Sequence, residues 1–219
     1  MKNLILLDID NTIYNSKSFR ESLFDRISRH ADEKVKEEVF KICYELYDKQ
    51  IFLDGVFDYE RFLKDFEKKV PNSVSEEMLI SLILDEPHIA GHLHKEAMEA
   101  LHIFSSCGDI GILSQGETKL QQLKLSSFLT MLHPEKIYIT RDKLGELKKV
   151  LLENKKYHTI FFVDDRLPIL AKAKKLNKKF TVIWIKRGRH ALSQKPIRGF
   201  KPDYSVTDLQ QAAIIVSQQ

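Results

Sequence analysis

Four stretches of this chain combine residue types and spacings suited to handling a charged group. The first, Asp8-Ile9-Asp10-Asn11-Thr12, follows directly on the apolar run of residues 4–7. Side chains two apart on an extended chain share one side, so the carboxylates of Asp8 and Asp10 can converge on one point. Carboxylates that close repel and raise a pKa unless a cation shares them. The available ligands are all oxygens, which favours magnesium, Mg²⁺. The plainer alternative is a turn or helix cap, for which Asp, Asn and Thr are also suited. The second stretch, Ile110-Gly111-Ile112-Leu113-Ser114-Gln115-Gly116, runs from apolar residues straight into a hydroxyl and a glycine. A serine hydroxyl beside free backbone N–H groups at a helix start makes an anion site, or a simple N-cap. The third, Thr159-Ile160-Phe161-Phe162-Val163-Asp164-Asp165, again ends an apolar run in acids; a surface turn is its alternative. The fourth is Lys143, at the head of the helical segment before that run. A lysine so placed is ordinarily solvated, so its meaning comes from its company.

The elements that must hold these residues are legible in the pattern. Short apolar runs rich in Ile, Val and aromatics recur at 4–7, 110–113, 137–139, 159–163 and 180–185, with a weaker one at 204–206. Such composition suits strands, and runs without alternation suit strands buried on both faces. Between them lie segments of helical length at 118–128, 144–154 and 168–176, with a C-terminal helix expected from Asp208. Strands alternating with helices indicate parallel βαβ units, hence an α/β fold. Ligands bind such sheets at the carboxyl ends of the strands, where all four stretches fall.

Residues 16–87 break the alternation. Apolar residues there recur at spacings of three and four: Phe19, Leu23, Phe24 and Ile27; Val35, Val39, Ile42, Cys43 and Leu46; Phe62, Phe66 and Val70. Ser18-x-x-Glu21 and Ser73-x-x-Glu76 read as capping boxes. About 70 residues of helix are therefore inserted after the first strand, dividing the chain into a core of 1–15 and 88–219 and a helical unit of 16–87.

Composition narrows the function class. The 219 residues suit one large domain or a core with an insertion. A formal charge of +4 is too small and dispersed to argue for nucleic acid. Two cysteines, Cys43 and Cys107, exclude a disulfide scaffold and a four-cysteine zinc site. No apolar run approaches membrane-spanning length, and the first residues turn polar too early for a signal peptide. A soluble cytoplasmic protein is expected.

The four stretches, in this order, resemble the motifs of the haloacid dehalogenase (HAD) superfamily: D-x-D-x-T, a strand ending in Ser or Thr, a Lys, and a strand ending in paired acids. The helical unit lies where that family's cap is inserted, and Ser114-Gln115-Gly116-Glu117 with Gln121, Lys124 and Leu125 continues the likeness, as do Arg187-Gly188 and Pro202-Asp203. The resemblance implies a three-layer, Rossmann-like parallel sheet with a helical cap. It also implies a Mg²⁺-dependent phosphomonoester hydrolase acting on a small-molecule phosphate ester, with a nucleoside monophosphate slightly preferred over a sugar phosphate. Asp8 would be the nucleophile, Asp10 the general acid and base, and Thr12 would orient Asp10. Ser114 and the Gln115 N–H would hold a phosphoryl oxygen. Lys143 would neutralise Asp8 and the transferred group, with Lys148 and Lys149 as weaker substitutes. The metal would lie on Asp8, the Asp10 carbonyl and the pair Asp164 and Asp165, the last favoured as direct ligand. An aspartate at position 10, rather than an apolar residue, favours phosphoryl transfer over dehalogenation.

The chain departs from that pattern at Ile169, where many relatives carry an Asp, and at Arg166, where a small residue is frequent. Leu144 replaces the Pro that often follows the lysine. A receiver-type signalling module also unites acids, a hydroxyl and a lysine, but it lacks an inserted helical unit. A catalytically retired, phosphate-binding regulatory or scaffold protein is the remaining alternative. His92-Leu93-His94 has chelating spacing without a third ligand, and Cys107 lacks a partner that would activate it. The basic residues at 172–179, with Lys186, Arg187 and Arg189, read as solvated flank. Phe19, Phe24, Phe40, Tyr44 and Tyr47 read as core of the helical unit, and a loop at 50–58 bearing Phe52 and Phe57 as a substrate selector. Monomer and homodimer remain equally open.

Overall fold

A computed structural model describes residues 2–219, the side chains of Arg189 and His190 excepted. The contribution of Arg189 to the basic flank therefore lies outside the described residues. Strands β1 (Asn3–Leu7), β2 (Gly108–Gln115), β3 (Ile137–Thr140), β4 (Ile160–Asp164), β5 (Phe180–Ile185) and β6 (Tyr204–Val206) form a parallel sheet in the order β3-β2-β1-β4-β5-β6. The helices are α1 (Ser16–Arg29), α2 (Lys36–Asp54), α3 (Tyr59–Lys69), α4 (Glu76–Ile83), α5 (Glu86–Ala90), α6 (Ala97–Cys107), α7 (Thr118–Leu125), α8 (Lys143–Glu153), α9 (Leu167–Leu176), α10 (Gly188–Ser193) and α11 (Leu209–Ser217).

The unbroken apolar run in β1 is explained by burial on two sides. Ile5 and Leu7 face a core shared with α6 and α11, including Leu101, Phe104, Ala212 and Val216. Leu4 and Leu6 face a second core with Leu147 and Val150 of α8 and Ile169, Leu170 and Ala173 of α9. Helices thus cover both faces, the three-layer α/β architecture that the alternation predicts. Ile169 is fully buried in the second core. Its position supports packing between α9 and the sheet.

Helices α1 to α4 pack chiefly on one another. Their stripes interdigitate through Leu23, Phe24, Val39, Cys43, Phe62 and Phe66, with Phe24 stacked on Phe62 at 6.2 Å between ring centroids. Burial pushes the Cys43 thiol up to about 12, so it behaves as a small apolar group. Helix α5 turns from this group toward α7.

Local chemistry departs from expectation in several places. Asn15, not Ser18, caps α1 by accepting from Ser18 N, and Ser75, not Ser73, caps α4 through Met78 N. Each true cap is the polar residue just before the first helical turn; Ser18 already lies inside it. The expected loop at 50–58 is mostly helix: α2 runs to Asp54, Gly55 ends it in the left-handed region (φ 67°), and Asp58 caps α3. Helix α7 stops at Leu125 and yields to a 3₁₀ turn, Ser126–Met131, that buries Phe128. Among the described residues no helix is long and apolar enough to cross a membrane.

Candidate active site

The strand order sets β1 between β2 and β4, with Leu7 level with Ile112 and Val163. The carboxyl ends of these strands therefore deliver Asp8, Ser114 and Asp164 side by side. After β1 the chain winds into a tight loop: Thr12, Ile13 and Tyr14 all direct their N–H groups at the Ile9 carbonyl, at 3.1, 3.0 and 2.9 Å. The winding requires a positive φ at Asn11 (58°), a conformation Asn tolerates better than most residues. Gly188, also at positive φ (74°), lets the segment after β5 lie against this loop. A Cβ there would stand 2.5 Å from Asn11 Cγ. Arg187 secures the contact, bonding the Thr12 carbonyl at 3.3 Å and pairing with Glu96 at 2.5 Å.

Asp8, Asp164 and Asp165 are at most 5% exposed. Lys143, 1% exposed, places Nζ 2.5 Å from Asp8 Oδ1 and 2.6 Å from Asp164 Oδ2. Buried charge persists only where it is paired, and here one ammonium pairs with two of the three carboxylates. Burial pushes Asp8 up to about 6, a rise opposed by Lys143 and reinforced by Asp164. Asp165 rises well above the carboxylate range because of burial, then of Asp164 and Asp8. Burial opposes the charge on Lys143, but Asp164 and Asp8 together hold its pKa above the ordinary lysine range.

Those three aspartates bring carboxylate oxygens within 4.8 Å of one another. The donors are all oxygen, and the excess negative charge is one that a divalent cation would relieve, so the cluster fits a hard ion of the Mg²⁺ type. Asp164 Oδ1 accepts from Arg166 N at 2.7 Å, whereas among the described residues the Asp165 carboxylate accepts only from the Asn11 amide, at 3.5 Å. Asp165 therefore keeps the freer oxygens. The Asp10 carboxylate stands apart from this cluster.

Asp10 instead accepts from Lys124 at 2.7 Å, Ser16 at 2.5 Å and Gln121 at 2.7 Å. Burial pushes its carboxyl up, but the Lys124 charge and these hydrogen bonds prevail and hold it below its usual range. Lys124 is 8% exposed and also lies over the Tyr14 ring. The sequence places Gln121 and Lys124 within the HAD-like stretch but gives them no task. Their signal is a spacing of three, which sets both on one face of α7. Thr12 and Ser114 are fully buried, and neither hydroxyl has a protein hydrogen-bond partner. Gln115 and Gly116 carry the chain from Ser114 into the cleft. Lys149 pairs with Glu146 at the surface, and Lys148 is exposed.

The cleft encloses about 440 Å³. Asp8, Asp10, Lys143 and Asp165 form part of its wall on the sheet side, and Phe19, Tyr47, Phe52 and Phe57 part of its wall on the helical side. Phe19 and Tyr47 thus face the cleft as well as the helical core. His92 is absent from this lining. It bonds Ser18 at 3.0 Å and approaches His88 at 3.3 Å, joining α5 to α1.

No family model matches the chain, and no curated protein matches it. Solved structures do. A protein assigned as a haloacid dehalogenase-like hydrolase, from Burkholderia xenovorans LB400, superposes with a TM-score of 0.80 at 21% identity, over 99% of this chain and 97% of that one. The HAD phosphatase of Thermococcus onnurineus gives 0.61 at 21% identity, over 99% and 98%. The magnesium-bound HAD hydrolase YfnB of Bacillus subtilis gives 0.61 at 15% identity, over 98% of each chain. L-2-haloacid dehalogenases share the architecture too. The chain therefore has the HAD-like hydrolase fold.

Proposed function

We propose that this protein belongs to the HAD superfamily and is a Mg²⁺-dependent phosphomonoester hydrolase forming an aspartyl-phosphate on Asp8. The carrying observation is the buried meeting of Asp8, Lys143, Asp164 and Asp165 beside a separately held Asp10. Lys143 occupies Asp8 Oδ1, leaving the other carboxylate oxygen to attack phosphorus. The bond from phosphorus to the ester oxygen breaks as the acyl phosphate forms. Asp10 is ionised at rest, and the arriving phosphate dianion raises its proton affinity. Once protonated, it passes the proton to the departing oxygen. It then takes a proton from the water that attacks phosphorus, which releases inorganic phosphate and restores Asp8. Ser114 Oγ, orphaned inside the protein, and the Gln115 N–H receive a phosphoryl oxygen. Lys143 offsets charge in the transition state. Magnesium, held by Asp8, Asp164, Asp165 and the Asp10 carbonyl, would supply further positive charge for the phosphoryl oxygens.

Residues 16–87 act as the cap, excluding water and contacting the leaving group. Phe52 and Phe57 give this side of the cleft an apolar surface suited to a small phosphorylated metabolite, with a nucleoside monophosphate preferred over a sugar phosphate. The polar cage around Asp10 favours phosphoryl transfer over dehalogenation, since it maintains a proton-exchanging group beside the nucleophile. The presence of nucleophile, cation and acid-base group argues against a retired, purely phosphate-binding role. The test is hydrolysis of a chromogenic aryl phosphate with and without Mg²⁺. Wild type is expected to turn over only with the metal and Asp8→Asn not at all; equal rates for the two proteins would overturn the assignment.

A further inference from the structure

Three cations line the cleft: Lys124, Lys143 and Arg166. Two have their charge answered within the protein, Lys124 by Asp10 and Lys143 by Asp8 and Asp164. The acid from the helical side, Asp54, is paired with Arg61 at 2.5 Å. Arg166 differs. Among the described residues its guanidinium forms no ion pair with a carboxylate, the neighbouring Asp165 acting on it only through longer-range attraction. Its one side-chain bond runs from Nη1 to the neutral amide oxygen of Gln115, at 3.0 Å.

That bond also fixes its place. Gln115 follows Ser114, the residue assigned to the phosphoryl group, and Arg166 follows Asp165 of the acidic cluster. The far end of the same amide reaches the helical unit, since a Cβ on Gly55 would stand 3.3 Å from Gln115 Nε2. The guanidinium is thus held beside the phosphoryl corner, level with the turn that joins α2 to α3. The alcohol portion of an ester bound with phosphorus at Asp8 would come within reach of the guanidinium where it crosses this corner. A half-buried, pre-positioned fork of N–H donors is matched to carboxylate or phosphate oxygens.

We infer that Arg166 is a specificity-determining residue that binds a second anionic group, carboxylate or phosphate, on the alcohol portion of the substrate. This rests on the phosphatase reading and deepens it: the preferred esters carry two separated anions, and the aromatic wall of the cleft covers the apolar part between them. A cation this near the phosphoryl corner has one other use, binding the transferred phosphoryl group itself, and the two uses are distinguishable by which substrates suffer on its removal.

The experiment compares phenyl phosphate with its meta- and para-carboxylates and with a phenylene bisphosphate, for wild type and Arg166→Gln, in Mg²⁺. Wild type is expected to prefer at least one doubly anionic ester, by kcat/KM, over phenyl phosphate. Arg166→Gln is expected to shrink that preference by about tenfold or more, the scale of one charge-assisted hydrogen bond, chiefly through KM. Arg166→Lys should restore only part of it, because an ammonium lacks the fork. The carboxylate and bisphosphate arms show which anion is read. An unchanged preference in Arg166→Gln, or a uniform loss across all esters, overturns the inference while leaving the phosphatase reading standing. Failure of wild type to hydrolyse any ester overturns that reading instead. Retained far-ultraviolet circular dichroism separates either result from misfolding.

Discussion

Replacing Lys143 by Met removes the ammonium that two buried carboxylates share while retaining side-chain bulk. Breaking a buried pair by deleting one partner costs about 3–5 kcal/mol, and here both Asp8 and Asp164 lose their cation. For a chain of this size a loss of about 3 kcal/mol lowers Tm by about 6–12 °C. The loss depends on pH in a definite direction. Asp8 already sits at about 6 with the lysine present; without it, the folded-state carboxylates bind protons more tightly still. Unfolded carboxylates titrate near ~4, so acidification from ~pH 7.5 to ~pH 5 adds protons preferentially to the folded variant and stabilises it. Urea unfolding of wild type and Lys143→Met at both values, without divalent cations, reads the effect. The deficit should approach 3 kcal/mol or more at the higher pH and shrink at the lower. A deficit below about 1 kcal/mol, or the same deficit at both pH values, would refute the claim that this ammonium balances buried anions.

Other outcomes follow from the same geometry. Magnesium at about 100 times its Kd should raise the wild-type Tm by about 5–10 °C, and Asp165→Asn should abolish most of that rise in a thermal-shift assay. Lys124→Met should raise the Asp10 pKa, because the Lys124 charge and hydrogen bond help hold it low. Asp10 must be protonated to act as the acid once substrate is bound, so the descending limb of the kcat–pH profile should move to higher pH; an unmoved limb would contradict the role given to Asp10. His88 is pushed down to about 4, chiefly by burial and then by Arg26 and His92. The unfolded chain therefore takes up this proton first as pH falls from about 6.5, and stability is lost between there and about 4. His88→Gln should give a shallower decline of Tm over that window.

Much of the fold was legible because β1 and β4 are apolar on both faces, leaving little besides central parallel strands for those runs to form. Residues 16–87 read as helix because Phe19, Leu23, Phe24 and Ile27 recur at helical spacing and then pack together. Exact helix ends were less legible. Ser18 and Ser73 satisfy the capping pattern, yet a residue becomes a cap through its backbone angles, and Asn15 and Ser75 hold those positions. The meeting of Asp8, Lys143, Asp164 and Asp165 was anticipated from motif order. The cage around Asp10 was not, because Ser16, Gln121 and Lys124 come from two helices whose approach is set by tertiary packing. That Arg166 forms no ion pair among the described residues was likewise hidden, since pairing is a property of three-dimensional neighbours.

The proposed mechanism requires Asp8 to become phosphorylated during turnover. Acid quenching of the enzyme while it hydrolyses an aryl phosphate in Mg²⁺, followed by peptide mass spectrometry, should find a phosphoryl adduct on the peptide bearing Asp8, removed by hydroxylamine and absent from Asp8→Asn. Steady turnover with a phosphoryl adduct located on another residue would contradict it.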